Sequence, residues 1–559
     1  MADALNIGSL DDHGVVVELQ LPLSSRRLDC MVTGHDAAGQ AEAVIVELKQ
    51  WQAATPSWVD DCVRTVVGGG ERDVLHPSRQ VGNYERYLLD VHSAFNTGDV
   101  SLHSCSYLHN LQFEAESVLY ADSFAETLRM YPLFAGDQVD DLVDYLVGNV
   151  GAGNGGPVLE TVLHGRYRPH RRLLDYAAQV IRNEPAFVLL DEQQVAFNAV
   201  LAKVRSRGLS KDRSVLLIHG GPGTGKSVLA VNLLASLAGQ GYVTLHATGS
   251  RAFTENLKKT VGSRAAALFK YFNGFGSVEP ETVDVLICDE AHRLRENSWS
   301  RWTPKSDRTD RSQVMELMEA ARVSVFFIDD LQVVRPGEVG SSDLVRAAAT
   351  NLEIAVDEFE LEAQFRCGGS ESFVSWIDNT LDLRRTPDVI WNTSEEFDFD
   401  VLDSAAELEA LVRERVREGF TARLSAGFCW PWSNASGDGT LVNDVVVGDW
   451  SMPWNAKPEA GRLAVGIPKS NYWASDPGGI DQVGCVYTAQ GFEYDYAGVI
   501  VGRDLVYRPR EGWVGQPEFS KDSAWIHRCR LVRVSVEACG SDAGAGGAGG
   551  GLRGVCRQG

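Results

Sequence analysis

The octapeptide Gly220-Gly221-Pro222-Gly223-Thr224-Gly225-Lys226-Ser227 constrains this chain more than any other feature. It has the spacing Gly, four residues, Gly-Lys-Ser, in which backbone N–H groups wrap a phosphate. The apolar run Val215-Leu216-Leu217-Ile218 before it reads as a buried strand. Val228-Leu229-Ala230-Val231-Asn232-Leu233-Leu234 after it reads as a helix. Strand, glycine loop and helix N-terminus together make an anion cradle. In that setting Gly220, Gly223, Thr224 and Gly225 shape the loop. Lys226 reaches the β- and γ-phosphates of ATP, and Ser227 ligates Mg²⁺.

A second motif lies some sixty residues on. Val283-Asp284-Val285-Leu286-Ile287-Cys288 is an apolar strand that runs into Asp289-Glu290-Ala291-His292. Acids at the C-terminal end of such a strand face the P-loop across a parallel sheet. Asp289 is the metal-side carboxylate in this reading, and Glu290 is the base or water-positioning group.

The 559 residues suffice for three or four domains. A net charge of −24 requires any nucleic-acid site to be a local groove on a repelling background, with salt-sensitive binding. The ten cysteines form no Cys-x-x-Cys pair, which points to a reduced, cytoplasmic setting rather than a disulfide framework or zinc ribbon. No run approaches membrane-spanning length and no signal peptide opens the chain, so no membrane partner is expected.

Four regions separate by pattern. Residues 14–51 alternate as strands. Residues 57–185 read mostly as helices. Residues 186–350 and 351–515 each alternate strand and helix, as two RecA-like lobes would. Residues 540–551 are glycine-alanine low complexity, read as disordered.

Further pieces fall in a fixed order around the P-loop. Gln193, in Leu189-Leu190-Asp191-Glu192-Gln193, is placed to read an adenine edge. Ala247-Thr248-Gly249-Ser250-Arg251-Ala252-Phe253 is placed to touch a nucleic-acid backbone. Gln332, ending Phe326-Phe327-Ile328-Asp329-Asp330-Leu331-Gln332, can sense the γ-phosphate. Arg366, in Leu361-Glu362-Ala363-Gln364-Phe365-Arg366, can reach the phosphates from the far lobe. The set resembles a superfamily 1 helicase core. In detail it resembles the bacterial Schlafen-like DNA/RNA helicase family across residues 186–510. Asp-Glu-Ala-His, Phe-Phe-Ile-Asp-Asp-Leu-Gln, Gln-Phe-Arg-Cys, Ala-Gly-Phe-Cys-Trp-Pro-Trp and Tyr-Thr-Ala-Gln-Gly-Phe-Glu-Tyr-Asp carry the likeness. The resemblance implies ATP- and Mg²⁺-dependent action on DNA or RNA with single-stranded regions. It does not by itself imply strand separation.

A second chemical cluster lies near the N-terminus. Glu47 and Lys49 share one face of a strand, and a hairpin turning over residues 34–40 brings Asp29 opposite Glu47. Two acids and a lysine on one face can bind a divalent metal and position water for phosphodiester attack. The set resembles the Asp…Glu-x-Lys core of restriction-type nucleases. Gln80 and Tyr84, four apart on a helix, resemble the Gln-x-x-x-Tyr signature of the helicase-associated nuclease branch. This implies a second Mg²⁺ or Mn²⁺ held by Asp29 and Glu47. The acid-bearing helix that opens such cores is expected to be missing, since some fourteen residues precede Val15.

The expected fold is α/β, with two RecA-like P-loop lobes preceded by a small α/β restriction-nuclease-like domain and a helical connector. The boundaries are 1–125 nuclease-like, 126–185 connector, 186–350 first lobe, 351–515 second lobe and 516–559 a disordered tail. The motif Leu-Thr-Arg-Gly expected after Leu505 is absent, and Arg530 and Arg533 are the candidates to replace its arginine. The leading reading is a helicase or translocase-like ATPase fused to a nuclease-like domain, acting in nucleic-acid processing or defence. The rivals are an ATP-driven sensor without strand separation, a metal-dependent nuclease with a defunct ATPase, and a silent binding module.

Overall fold

The protein is seen here as a computed structural model that describes residues 1–21, 24–165, 188–206, 213–299, 303, 308–332, 337–365, 370–391, 399–489, 492–522 and 553–557. Its centre is a six-stranded parallel sheet. In spatial order the strands are Phe269–Tyr271, Thr244–Thr248, Val283–Asp289, Ala321–Ile328, Ser214–Gly220 and Ala355–Leu361. Strands buried on both faces read as continuous apolar runs, and Val285 to Cys288 and Val215 to Ile218 are fully buried. The helices Asp191–Ser206 and Lys226–Gly239 pack on one face, and Gln313–Ala320 and Ser342–Asn351 on the other. The P-loop strand therefore stands inside the sheet with its C-terminal end opening on a cleft.

An N-terminal five-stranded sheet precedes it. Its strands are Gly14–Gln20, Arg27–His35, Ala41–Lys49, Ser101–Leu108 and Leu133–Ala135, in that order. The first three are antiparallel, and Ser101–Leu108 and Leu133–Ala135 continue the sheet in parallel. Pro77–Val91 and Gly155–Leu163 cover one face, and Val139–Val150 with the short Ala2–Ile7 covers the other. A smaller antiparallel sheet of Thr55–Pro56, Cys62–Val67 and Gly70–Leu75 lies beside it. Beyond the central sheet, Phe399–Val401, Arg553–Arg557, Tyr496–Ile500, Ala422–Ala426 and Val483–Cys485 form a mixed sheet, with the helix Ala405–Arg417 on it.

Several expectations are corrected. Among the described residues 57–165, strands and turns interrupt the expected helices. The serines of Ser101–Leu108 disguise a strand, because Ser104 and Ser106 are buried. The glycines at 68 and 69, with φ of 62° and 82°, turn a hairpin. The described part of the expected connector, residues 126–165, packs into the N-terminal sheet. Leu133–Ala135 completes the N-terminal sheet, and Val139–Val150 buries Leu142 and Leu146 against Val32, Val44 and Val46. A six-residue helix, Ala2–Ile7, stands before the first strand and carries the exposed Asp3. The boundary at 350 falls too early, since Ala355–Leu361 pairs with the P-loop strand over its whole length. The tail is not wholly without structure, since Arg553–Arg557 pairs with Tyr496–Ile500. Residues 540–551, Arg530 and Arg533 lie outside the described residues. Among the described residues no helix is long and apolar enough to cross a membrane.

The helix Pro77–Val91 places Gln80 and Tyr84, and its start depends on one histidine. Proline at the first turn suits a helix start. His76 caps it, Nδ1 accepting from the Ser78 N–H at 3.2 Å while Nε2 is 2.9 Å from the Leu119 carbonyl. The ring stacks on Phe124 at 4.2 Å. Burial holds the imidazole down at about 4, against the opposing Leu119 hydrogen bond. The folded state therefore favours neutral His76, and its contribution is present above the ordinary value of 6.5 and lost as pH falls through about 4. The gap corresponds to on the order of 3 kcal/mol. Thermal midpoints of the protein and of His76→Asn, which keeps a capping acceptor, should converge as pH falls from 7 to 4. A constant difference between the two would refute this role.

Candidate functional site

The P-loop is held from outside by three donors. Gly223 and Gly225 have φ of 82° and 79°, a region that a side chain would strain. A Cβ on Gly225 would also lie 2.3 Å from Gln193 Nε2. Gln364 Nε2 donates to the Pro222 carbonyl at 2.7 Å, the Phe365 N–H to Gly223 at 2.9 Å and Gln193 Nε2 to Thr224 at 3.0 Å. Three successive carbonyls are thus fixed, and with them the arc along which the loop presents its N–H groups. Gln193 was expected at an adenine edge, but its amide is engaged with the loop and with the Leu190 N–H. Lys226 is buried, and its ammonium donates to the carbonyls of Gly220 at 2.6 Å and Gly221 at 2.8 Å. Ser227 is half-buried in the first turn of the helix Lys226–Gly239.

Two acidic strand ends face this loop. Asp289 ends Val283–Asp289 and is fully buried. Its Oδ1 accepts the Glu290 N–H at 3.0 Å, and its Oδ2 has no hydrogen-bond partner, with His246 Nε2 at 3.5 Å. Glu290 adopts the left-handed region at φ 57° and pairs with His292 at 3.0 Å and Arg293 at 3.5 Å. Burial pushes its carboxyl up, but the His292 hydrogen bond and the charges of His292, Arg293 and Lys226 outweigh this and hold it at about 2. Such a weak base orients water better than it removes a proton. Asp329, which follows Ala321–Ile328, stands 4.0 Å from the Lys226 ammonium, a neighbour the sequence reading did not assign. Gln332 is half-buried, and its N–H donates to the Asp329 carbonyl at 3.1 Å. Arg366 lies outside the described residues.

The second group lies on the N-terminal sheet. Cys30 pairs with Val46, so one step along the ladder Asp29 is level with Glu47. Asp29 Oδ2 accepts the Leu48 N–H at 2.7 Å, and Lys49 donates to Glu47 Oε1 at 2.5 Å. Glu47 Oε2 is buried and has no hydrogen-bond partner. Burial foremost pushes Glu47 up to about 7; Lys49 opposes this, and the Asp29 and Asp191 charges add to it. Gln80 Nε2 donates to the Tyr84 hydroxyl at 2.8 Å and to Asp191 Oδ1 at 2.9 Å. Tyr84 donates to the Asp191 carboxylate, its hydroxyl 2.9 Å from Oδ2 and 3.0 Å from Oδ1. Arg26 Nε pairs with Asp191 at 3.0 Å, and the same guanidinium contacts Glu192.

Asp191 and Arg26 were missed because their partners are distant in sequence. The signal available was an Asp-Glu pair two residues before Gln193. One cleft of about 2170 Å³ is lined by both groups, from Asp29, Glu47 and Tyr84 to Gly221, Thr224 and Asp329.

Hard cations take oxygen ligands. The unpaired buried oxygens of Asp289 and Glu47 suit such an ion at either place. Among the described residues no group of three or more His, Cys, Asp or Glu is arranged to hold a metal ion, so each place offers one or two carboxylates.

Comparison with known proteins adds the following. An uncharacterized protein of Saccharomyces cerevisiae, YPL245W, is 26% identical over 425 residues, 66% of this chain and 88% of its own length. Among solved structures, a DNA replication initiation factor is 19% identical over 30% of this chain and 46% of its own, with a TM-score of 0.16. AMPPCP-bound DnaA from Aquifex aeolicus is 18% identical over 34% and 54%, with a TM-score of 0.17. The chain spans about half the length of these two structures, and superpositions this poor carry no argument. The Schlafen group 3 DNA/RNA helicase domain matches residues 213–529, more than half of the chain. By that match the chain belongs to the Schlafen group 3 DNA/RNA helicase-domain family.

Proposed function

We propose that the protein is an ATP- and Mg²⁺-dependent helicase or translocase-like ATPase of superfamily 1 type, acting on DNA or RNA with single-stranded regions and fused to a nuclease-like N-terminal domain. The observation that carries the ATPase reading is the P-loop with its three fixed carbonyls facing Asp289, Glu290 and Asp329. In this reading the loop N–H groups bind the phosphates. Lys226 leaves the Gly220 and Gly221 carbonyls for the γ-phosphate. Ser227 and Asp289 hold Mg²⁺, which supplies charge neutralisation at the transferring phosphoryl group. Glu290 orients the attacking water, Gln332 senses the γ-phosphate, and Arg366 supplies positive charge from the second lobe. Gln193 acts on the nucleotide through the loop it holds.

The nuclease-like reading rests on Asp29, Glu47 and Lys49 on adjacent strands, with Gln80 and Tyr84 beside them. Asp29 and Glu47 hold a divalent ion, Lys49 positions the attacking water, and the Gln80/Tyr84 pair borders the site. A sensor that binds ATP without separating strands is the second reading. The engagement of Glu290 by His292 and Arg293 favours it, because a pinned carboxylate must be released before it can orient water.

ATP turnover with and without single-stranded DNA and RNA tests the first reading. Lys226→Ala should lower turnover by at least ~10²-fold. Glu290→Gln should retain ATP binding and lose turnover by a similar factor. Hydrolysis at the parent rate in Lys226→Ala would remove the P-loop assignment.

Cleavage of labelled DNA and RNA tests the second site. Activity should require Mg²⁺ or Mn²⁺, disappear in Asp29→Ala, Glu47→Ala and Lys49→Ala, and persist in Lys226→Ala. Metal-independent cleavage, or cleavage untouched by Glu47→Ala, would exclude this site.

A further inference from the structure

The polar group around Glu47 and the P-loop are joined by one turn of chain. Asp191 opens the helix Asp191–Ser206 with φ of 41°, a left-handed conformation that is unfavourable for aspartate outside a supporting environment. The support comes from the N-terminal sheet and its helix. Tyr84 and Gln80 bond to the Asp191 carboxylate, and Arg26 pairs with it at 3.0 Å. Two residues later Gln193 donates to Thr224 in the P-loop.

A second tether runs beside the first. The Ser25 N–H donates to the Gln364 carbonyl at 2.9 Å, and the Gln364 N–H donates to Ser25 Oγ at 2.9 Å. The Gln364 side chain holds Pro222. Ser25 and Arg26 are adjacent, so both tethers leave the N-terminal sheet from one point and end on neighbouring P-loop carbonyls.

We propose that Asp191 is a positioning residue through which the Tyr84–Gln80 pair sets the nucleotide affinity of the P-loop, making the N-terminal site and the nucleotide site one coupled unit. The inference rests on the reading of the P-loop as a nucleotide site. The physical chain is short. Tyr84 and Gln80 hold the Asp191 carboxylate, the carboxylate holds the left-handed turn, and the turn aims Gln193 at Thr224. Loosening the first link lets Thr224 drift and spoils the arc of N–H donors. Coupling between sites is reciprocal in free energy. Whatever engages Tyr84 or Asp191 from the cleft therefore changes nucleotide binding, and nucleotide changes the N-terminal site in return.

The test is a double-mutant cycle read by titrating the full chain with ADP carrying a fluorescent ribose label, with EDTA present so that no metal contributes. Tyr84→Phe removes one hydroxyl and should weaken binding by about fivefold or more. In an Asp191→Ala background, which removes the acceptor, the same change should have little further effect, because contacting residues in one network are non-additive. Tyr145→Phe, which removes a hydroxyl that bonds to the Ser104 carbonyl from the helix on the other face of the N-terminal sheet, should leave affinity unchanged. Gln80→Leu provides an independent second arm and should act like Tyr84→Phe. Affinities for Tyr84→Phe and Gln80→Leu within twofold of the unsubstituted protein overturn the inference and leave the nucleotide reading standing. An equal loss with or without Asp191→Ala also overturns it. Failure of the unsubstituted chain to bind the labelled ADP overturns both.

Discussion

The carbonyls of Pro222, Gly223 and Thr224 must be held for the loop between strand and helix to keep its shape. A phosphate-binding loop turns its N–H groups towards an anion, and the left-handed glycines at 223 and 225 allow that turn without enforcing it. What enforces it here are donors from Gln364, Phe365 and Gln193. Two of these follow the edge strand Ala355–Leu361 and one lies in the first turn of Asp191–Ser206. The parallel sheet, the position of that edge strand and the seating of the N-terminal sheet all bear on the same few atoms.

Charge follows a similar logic. The chain carries a net charge of −24, yet Arg26 and Lys49 line its cleft and Lys226 is buried under the loop that borders it. Each has an acid close by: Asp191 and Glu192 for Arg26, Glu47 for Lys49, and Asp329 at 4.0 Å for Lys226. Buried cations on an acidic background are stable when compensated in this way. In the proposed reading a phosphate entering the P-loop exchanges with the carbonyls of Gly220 and Gly221 for the lysine rather than meeting a naked charge. The second carboxyl, Glu47, is pushed the other way from Glu290. Burial raises it to about 7, whereas His292, Arg293 and Lys226 together hold Glu290 at about 2 against its own burial. The two acids are therefore suited to different tasks, a contrast that residue type alone does not reveal.

Much of the arrangement can be read from the chain because it is local. The P-loop lies where strand, loop and helix are contiguous. The acid strand Val283–Asp289 is one apolar run, and the hairpin of Arg27–His35 and Ala41–Lys49 brings Asp29 level with Glu47 through a short turn. Gln80 and Tyr84 share a face because they are four apart on a helix. Other parts escape such reading. Buried serines hide Ser101–Leu108: Ser104 donates to Glu85 inside the fold, and Ser106 is fully buried although its hydroxyl has no hydrogen-bond partner. Leu133–Ala135 is too short to show a period. Ala355–Leu361 looks like the start of a second block until its pairing with the P-loop strand is seen.

By itself, then, the sequence determined the anion-binding loop, the acids that face it and the acid-acid-lysine hairpin, because each depends on spacings of a few residues that backbone geometry converts directly into position. The tertiary structure alone decided that Gln193 holds the loop, that Asp191 sits between Tyr84, Gln80 and Arg26, and that both groups open on one cleft. Gln193 and Thr224 are 31 positions apart, and Asp191 lies more than a hundred from Tyr84, Gln80 and Arg26. Their hydrogen bonds are specified by how the sheets pack, and no periodicity along the chain records that packing.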